Sequence, residues 1–300
     1  MPERKVLIAG ARGLLGQKLV EIFRRESELE IIPCELTAGN GEIIALDITD
    51  RQKVLDMVGT LKPSVIINAA AFTDVDRAEV ERETAYKVNA TAVGYLAEAA
   101  NIFGAKLVHI STDYVFNGQK GNYDESSLPD PISYYGKTKL AGENLAKAQL
   151  NDLTIVRTQV LYGFGVNIKR NFVLWVMDML SKGEKFSVVK DQIGNPTLAD
   201  ELAFAVLKAV RRDARGVYHV SGFEAMSRLE FAVKIAQVFG YDPSVILPTT
   251  SDKINQKAKR PMNSSFICLK AQTELGVSAP PVTDSLSLMK QQMKHAGVLS

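Results

Sequence analysis

Tyr135 and Lys139 stand four residues apart in SYYGKTKLAGE (Ser133–Glu143), a run of good helix formers. On a helix, positions i and i+4 share a face, so a phenol and an ammonium would line one wall of a site. A nearby cation favours phenolate over phenol and pulls a tyrosine down from about 10, giving a proton donor and acceptor usable near neutrality. With 9 tyrosines in 300 residues, such a pair also arises by chance. Its meaning depends on what the rest of the chain brings to it.

Lys5–Ala9 (KVLIA) reads as a short buried strand. Gly10-Ala11-Arg12-Gly13-Leu14-Leu15-Gly16 follows and opens a helix with Leu15, Leu19, Ile22 and Phe23 on one side. In that context glycines let backbone N–H groups approach a pyrophosphate at the positive end of the helix. The spacing is GxxGxxG rather than the commoner GxGxxG, and a tight turn with close helix–strand packing is the competing reading. Glu35, about 20 residues past the turn, ends a strand Glu30–Glu35 that contains Pro33, and is placed to bind the ribose diol of NADH. Arg12 would instead attract the 2′-phosphate of NADPH, and the reading leans toward NADPH with NADH also used.

Next come Asp47-Ile48, a helix from about Asp50, and the strand Ser64–Ala69. The last runs into Asn68-Ala69-Ala70-Ala71, whose small side chains admit a flat ligand. Glu81–Phe103 reads as one long helix, with Asn89 held mid-helix by a buried backbone partner. Lys106–Ser111 is another buried strand, ending in Ser111-Thr112-Asp113, and His109 within it reads as a hydrogen-bonded core residue. A loop, Tyr114–Pro131, leads to the Tyr135 helix, and Thr154–Leu161 reads as the sixth strand. Regular alternation of strand and helix predicts a doubly wound parallel α/β sheet with ligands at its carboxyl edge. The glycine turn, Thr112 and the Tyr135/Lys139 helix meet there. Beside a dinucleotide that supplies hydride, these are the parts needed to reduce a ketone. Tyr135 would give the developing alkoxide its proton and Thr112 a hydrogen bond. Lys139 would lower the tyrosine pKa and hold the nicotinamide ribose.

Beyond Tyr162-Gly163 the pattern loosens. A helix over about Asn171–Leu180 carries the one tryptophan, Trp175, and the strand Phe186–Val189 and DQIGNPT (Asp191–Thr197) follow. A helix near Leu198–Val210, a strand Val217–Val220 and a capping box at Ser227–Glu230 come after them. This predicts a Rossmann dinucleotide-binding domain over 1–163 and a smaller C-terminal α/β domain, mainly substrate-binding, over 164–300. Residues from about 195 to 222 would pack back on the sheet.

A hydrophobic fraction of 46%, a charged fraction of 23% and a net charge of +2 suit a soluble globular protein. They give no electrostatic case for nucleic acid or an anionic membrane. Cys34 and Cys268 form no metal spacing and read as reduced thiols. The start of the chain has no apolar signal core, and no run approaches the ~20 apolar residues of a bilayer span, so the expectation is cytoplasmic.

These motifs together resemble the extended short-chain dehydrogenase/reductases, and within them the dTDP-4-dehydrorhamnose reductase family. The resemblance runs through GARGLLG, NAAAFTDVDRAE (Asn68–Glu79), STDYVFNG (Ser111–Gly118), YYGKTKLAGE, DQIGNPT and KRPMNSSF (Lys259–Phe266). It implies that Thr112, Tyr135 and Lys139 are the catalytic trio. Gly10, Gly13 and Gly16 would cradle the pyrophosphate, with Arg12, Leu14 and Leu15 in the same turn. Asp47 and Ile48 would meet the adenine, and Ala69, Ala70 and Ala71 would flank the cofactor. Asp113 and Tyr114 would lie against the sugar, with Arg260 within range of its diphosphate. One departure concerns the substrate. Members acting on dTDP-4-dehydrorhamnose typically follow the strand's Arg-Thr pair with a tryptophan that packs on the sugar. Here Arg157-Thr158 is followed by Gln159-Val160, so Val160 fills that place, or Trp175 contributes from elsewhere.

The implied reaction is NAD(P)H-dependent reduction of the 4-keto group of a nucleotide-linked deoxysugar, dTDP-4-dehydro-L-rhamnose foremost. A homodimer and a metal at a subunit contact belong to the resemblance, but no ligand cluster in the sequence supports the metal. Two alternatives stand beside it. One is a nucleotide-sugar epimerase or dehydratase using the same trio with tightly held NAD. The other is a non-catalytic regulatory subunit like the β subunit of methionine adenosyltransferase, which the missing tryptophan favours and the intact trio opposes.

Overall fold

A computed structural model gives the fold and describes residues 4–38 and 41–299. Seven strands build the main sheet: β1 (Arg4–Ala9), β2 (Leu29–Glu35), β3 (Ile44–Ala45), β4 (Val65–Asn68), β5 (Lys106–Thr112), β6 (Leu153–Thr158) and β7 (Gly216–His219). Their order is β7-β6-β5-β4-β1-β2-β3, with every neighbouring pair parallel. An all-parallel sheet is covered on both faces, which is why its strands read as continuous apolar runs. On one face, Leu202, Val206 and Val210 of α6 (Ala199–Arg211) pack with Leu15, Leu19 and Phe23 of α1 (Leu14–Phe23). The other face carries α2 (Arg51–Leu61), α3 (Ala92–Phe103) and α4 (Tyr134–Gln149). A third core unites Tyr162 with α5 (Phe172–Ser181), α7 (Arg228–Phe239) and α8 (Val282–His295). The sheet is of the Rossmann type, and its chain order reverses between β1 and β4, where such folds bind ligands.

Three local readings meet a physical correction or explanation. Pro33 is tolerated inside β2 because the Cys34 carbonyl faces β1, accepting from Gly10 N at 3.0 Å. Alternation turns the Pro33 backbone the other way, toward β3, whose pairing begins only at Cys34. The long helix predicted over 81–103 is interrupted. Arg82–Tyr86 is α-helical, Lys87–Thr91 forms a π turn, and α3 resumes at Ala92. Asn89 sits in that turn, with its amide donating to the Phe72 carbonyl at 3.0 Å and its Oδ1 accepting Phe72 N at 2.8 Å. The sixth strand stops at Thr158, three residues short of the predicted end, because Val160 adopts φ +46°. Leu161–Tyr162 then pairs separately with Thr197–Leu198.

Candidate active site

A cavity of about 1270 Å³ runs along the carboxyl edge of the sheet, from Glu35 past the glycine turn to Thr112, Tyr135 and Lys139. Residues 167–171 and the 158–161 segment also line it. Every predicted cofactor residue is on this wall: Gly10, Arg12, Gly13, Leu14, Leu15, Gly16, Glu35, Asp47, Ile48 and Ala69–Ala71, with Tyr135 and Lys139.

The dinucleotide end has the shape such a ligand needs. Gly10 has φ +83°, and a Cβ there would lie 2.7 Å from Ala70 N. A Cβ on Gly16 would lie 2.0 Å from the Gly10 carbonyl oxygen, so α1 approaches β1 only because that position is glycine. Gly13 caps α1 without a side-chain acceptor, which leaves the first-turn N–H groups at Leu14 and Leu15 for an anion. Glu35 is held at the end of β2 by Arg12 N at 3.1 Å and Leu36 N at 3.0 Å. The Arg12 guanidinium reaches across to Thr37 Oγ1 at 3.1 Å and the Ala38 carbonyl at 2.8 Å. These residues fit a dinucleotide: a backbone cradle for its pyrophosphate, an acid and a base at its ribose end, and small side chains along its length.

At the other end, Ser133 caps α4 by accepting Gly136 N at 3.1 Å, which fixes the first turn and so Tyr135. Tyr135 is buried against Tyr114, ring edge to ring face at 5.5 Å between centroids. Here the sequence reading is corrected. Burial raises the Tyr135 pKa above its ordinary value, the Thr112 hydroxyl offsets part of that, and the Asp113 charge adds to it. The expected lowering by Lys139 is absent, and its ammonium is turned to the sheet instead. The Lys139 side chain runs down to the sheet, donating to the Ile110 carbonyl at 2.7 Å and lying 3.4 Å from His109 Nε2. Desolvation brings Lys139 itself down to about 8, against the opposing pull of Glu143.

Thr112 Oγ1 donates to Asp113 Oδ1 at 3.0 Å and accepts Tyr114 N at 3.2 Å. Asp113 also accepts from Ser264 Oγ at 2.5 Å, and burial pushes its carboxyl up to about 6. Beneath the site, Glu143 and Arg157 form a buried bidentate pair at 2.9 and 2.7 Å, joined by Ser111 Oγ at 2.6 Å.

The 158–160 segment is a corner. Thr158 is buried, lines the cavity and, among the described residues, has no hydrogen-bond partner for its hydroxyl. Asn195 of DQIGNPT holds the next residue: Asn195 N donates to Gln159 Oε1 at 2.9 Å, and its side chain binds the Gly222 carbonyl at 2.9 Å and Phe266 N at 3.1 Å. Asp113, Tyr114 and Val160 line the cavity as the sequence reading placed them, and Arg260 does not. Its guanidinium pairs with Asp76 at 2.9 Å and donates to the Ala258 carbonyl at 3.2 Å. Trp175 is off the cavity too, packed among Phe172 and Phe186 in the third core. His109, Thr158, Asn195 and Ser264 were not singled out for the site. Asn195 and Ser264 carried a signal inside DQIGNPT and KRPMNSSF, and Thr158 inside the Arg157-Thr158 pair, whereas His109 carried none.

Residues 4–295 match the family described as the RmlD substrate binding domain. The dTDP-4-dehydrorhamnose reductase of Aggregatibacter actinomycetemcomitans is 35% identical over 286 residues, covering 91% of this chain and 94% of that one. This chain belongs to the dTDP-4-dehydrorhamnose reductase family. A solved dTDP-4-dehydrorhamnose reductase from Bacillus anthracis str. Ames, in complex with NADP, is 36% identical with a TM-score of 0.88, covering 97% of this chain and 99% of that chain. Methionine adenosyltransferase 2 subunit beta of Xenopus laevis is 31% identical over 278 residues, covering 91% of this chain and 83% of that one. Among the described residues, no helix is long and apolar enough to cross a membrane, and no group of three or more His, Cys, Asp or Glu side chains could hold a metal ion.

Proposed function

We propose that this chain is an NAD(P)H-dependent oxidoreductase that reduces the 4-keto group of a nucleotide-linked deoxysugar, with dTDP-4-dehydro-L-rhamnose the foremost substrate. One observation carries the reading: Thr112, Tyr135 and Lys139 share a cavity with a glycine cradle fitted to a dinucleotide. When bound, the cofactor supplies hydride. Tyr135, held as phenol by burial, keeps its proton until a much stronger base, the developing alkoxide, appears at the sugar's 4-oxygen. Thr112 rotates its hydroxyl from Asp113 to donate to the same oxygen. Asp113 and Tyr114 hold the sugar, and residues 164–300 supply the far side of its pocket. Where the family's tryptophan would pack, Val160 leaves a smaller apolar surface, which accommodates a deoxyhexose other than rhamnose more readily than a ring would. A cytoplasmic location and a homodimer complete the proposal.

Consumption of NADPH followed at its absorbance maximum, with nucleotide 4-keto sugars as substrates, tests the reaction. Tyr135→Phe is expected to cut turnover by about 10²–10⁴-fold while leaving the cofactor Kd within twofold. Unchanged turnover removes Tyr135 from the role. The regulatory-subunit reading draws on the missing tryptophan and on the likeness to the methionine adenosyltransferase subunit. Co-purification of a larger enzyme without any reductase activity would favour it.

A further inference from the structure

His109 is fully buried on β5, and both of its ring nitrogens face hydrogen-bond donors. Nδ1 lies 3.2 Å from Asn68 Nδ2, and Nε2 lies 3.4 Å from Lys139 Nζ. The Asn68 amide cannot turn round to help, because its Oδ1 accepts Ala70 N at 3.2 Å. A neutral imidazole offers one N–H and one lone pair. Burial, with the Lys139 charge beside it, keeps His109 neutral by holding its pKa well below the ordinary value. With Lys139 as an ammonium, two donors compete for one lone pair, and one N–H is left pointing at another. With Lys139 as an amine, every group pairs. Asn68 donates to Nδ1, Nε2–H donates to the Nζ lone pair, and Nζ–H donates to the Ile110 carbonyl at 2.7 Å.

We propose that Asn68 and His109 are positioning residues that make Lys139 an exchangeable proton source rather than a permanent cation. Their hydrogen-bond pattern is complete only when Nζ has released its proton, so the pair draws the lysine toward the amine at the wall Tyr135 also lines. The proton leaving Nζ is passed across the cavity that both residues line to the phenolate that remains once Tyr135 has protonated the 4-oxygen. Desolvation acts in the same direction. The other charges are distributed around it. Glu143, one turn on along α4, favours the ammonium but is shared with Arg157 from β6. Asp113 on β5, Tyr135 on α4, and Glu83 and Lys87 from the segment before α3 face the same cavity. Among the described residues none of these bonds to the His109 ring.

The inference rests on Lys139 serving the proposed reductase site, but its first test needs no turnover. Carbon-13 NMR of the full chain labelled at lysine Cε follows the titration of each lysine, and Lys139→Arg identifies the signal. Wild-type Lys139 is expected to titrate near pH 8. In Asn68→Asp the new carboxylate accepts Nδ1–H and frees Nε2 to accept from the ammonium, moving the titration up by about one unit or more. His109→Gln, whose amide oxygen can face Nζ, moves it up as well and covers the case in which a buried aspartate prevents folding. A wild-type titration near the ordinary lysine value of about 10.4 overturns the proposal, as does a folded variant with no movement. The pH profile of kcat/KM is the second readout: the limb due to Lys139 shifts with the same variants, whereas a purely structural role lowers the rate alike at every pH. A chain that turns over no nucleotide sugar loses this second readout and keeps the first.

Discussion

Arg12 and Glu35 meet at the end of the cavity where the proposed pose puts the part of the cofactor that differs between NADH and NADPH. Both Glu35 oxygens are fixed by backbone N–H groups, from Arg12 at 3.1 Å and Leu36 at 3.0 Å, so the carboxylate is a built part of the wall. Arg12 spans from the glycine turn to the loop after β2, where a guanidinium beside Thr37 Oγ1 would give a 2′-phosphate a hydrogen-bonded cation. On the proposed pose the pair would admit both cofactors, with the balance set by how far the Glu35 charge is screened. Both groups touch solvent, so each is worth about 1 kcal/mol at most, or severalfold in Kd. Arg12→Ala is expected to weaken NADPH about three- to fivefold and NADH by less than twofold, and Glu35→Gln to strengthen NADPH by a similar factor. Fluorescence titration of the two reduced cofactors checks both. Equal weakening by Arg12→Ala would take Arg12 off the 2′-phosphate. These two residues were legible in the sequence because a glycine turn and an acid at a set distance are local facts. His109 was not: its partners Asn68 and Lys139 lie 41 and 30 residues away, and only the order and register of β4, β5 and α4 bring them together. The sign of the Tyr135 shift failed for the same reason, since the i+4 spacing fixes Cβ positions and not where a long side chain ends.

At the scale of elements, the strands and helices of the Rossmann half could be read from apolar runs and caps because each element is specified by its own residues. The corner after β6 could not. Its residues, TQVL, have strand propensity throughout, yet Val160 is in the left-handed region, where a β-branched side chain is disfavoured by roughly 1–3 kcal/mol. Tertiary bonds hold it there. Asn195 joins Gln159, Gly222 and Phe266, three segments far apart in sequence, and the bend that places Thr158 and Val160 on the cavity wall depends on that junction. Asn195→Ala leaves the Phe266 N–H and the Gly222 carbonyl without this partner in a buried setting. The expected cost is about 3 kcal/mol in urea unfolding, together with a raised KM for the sugar and a cofactor Kd within twofold. A loss of stability with both constants unchanged would mean that the corner holds the fold but not the substrate.

For the molecule as a whole, the site spans elements that belong to different cores. Leu15 packs with the sheet, Tyr135 with Ala78 and Ala85, and Asn171 caps the helix that carries Val173 into the third core. A dinucleotide lying along this edge contacts elements from several of these clusters and binds only while they are folded together, so it stabilises the native state by mass action. A reductase also has to release its oxidised cofactor in every cycle, whereas an epimerase or dehydratase with the same trio keeps NAD through many. The two readings therefore predict opposite linkage. As a reductase, the purified chain should yield a denatured supernatant with little dinucleotide absorbance, and NADPH at a hundred times its Kd should add about 2.7 kcal/mol, raising Tm by several degrees. Tyr135→Phe should retain that shift in full, since the phenol acts on the sugar's oxygen. Stoichiometric NAD in the supernatant, with no shift on adding NADPH, would replace the reductase by an enzyme that holds its cofactor.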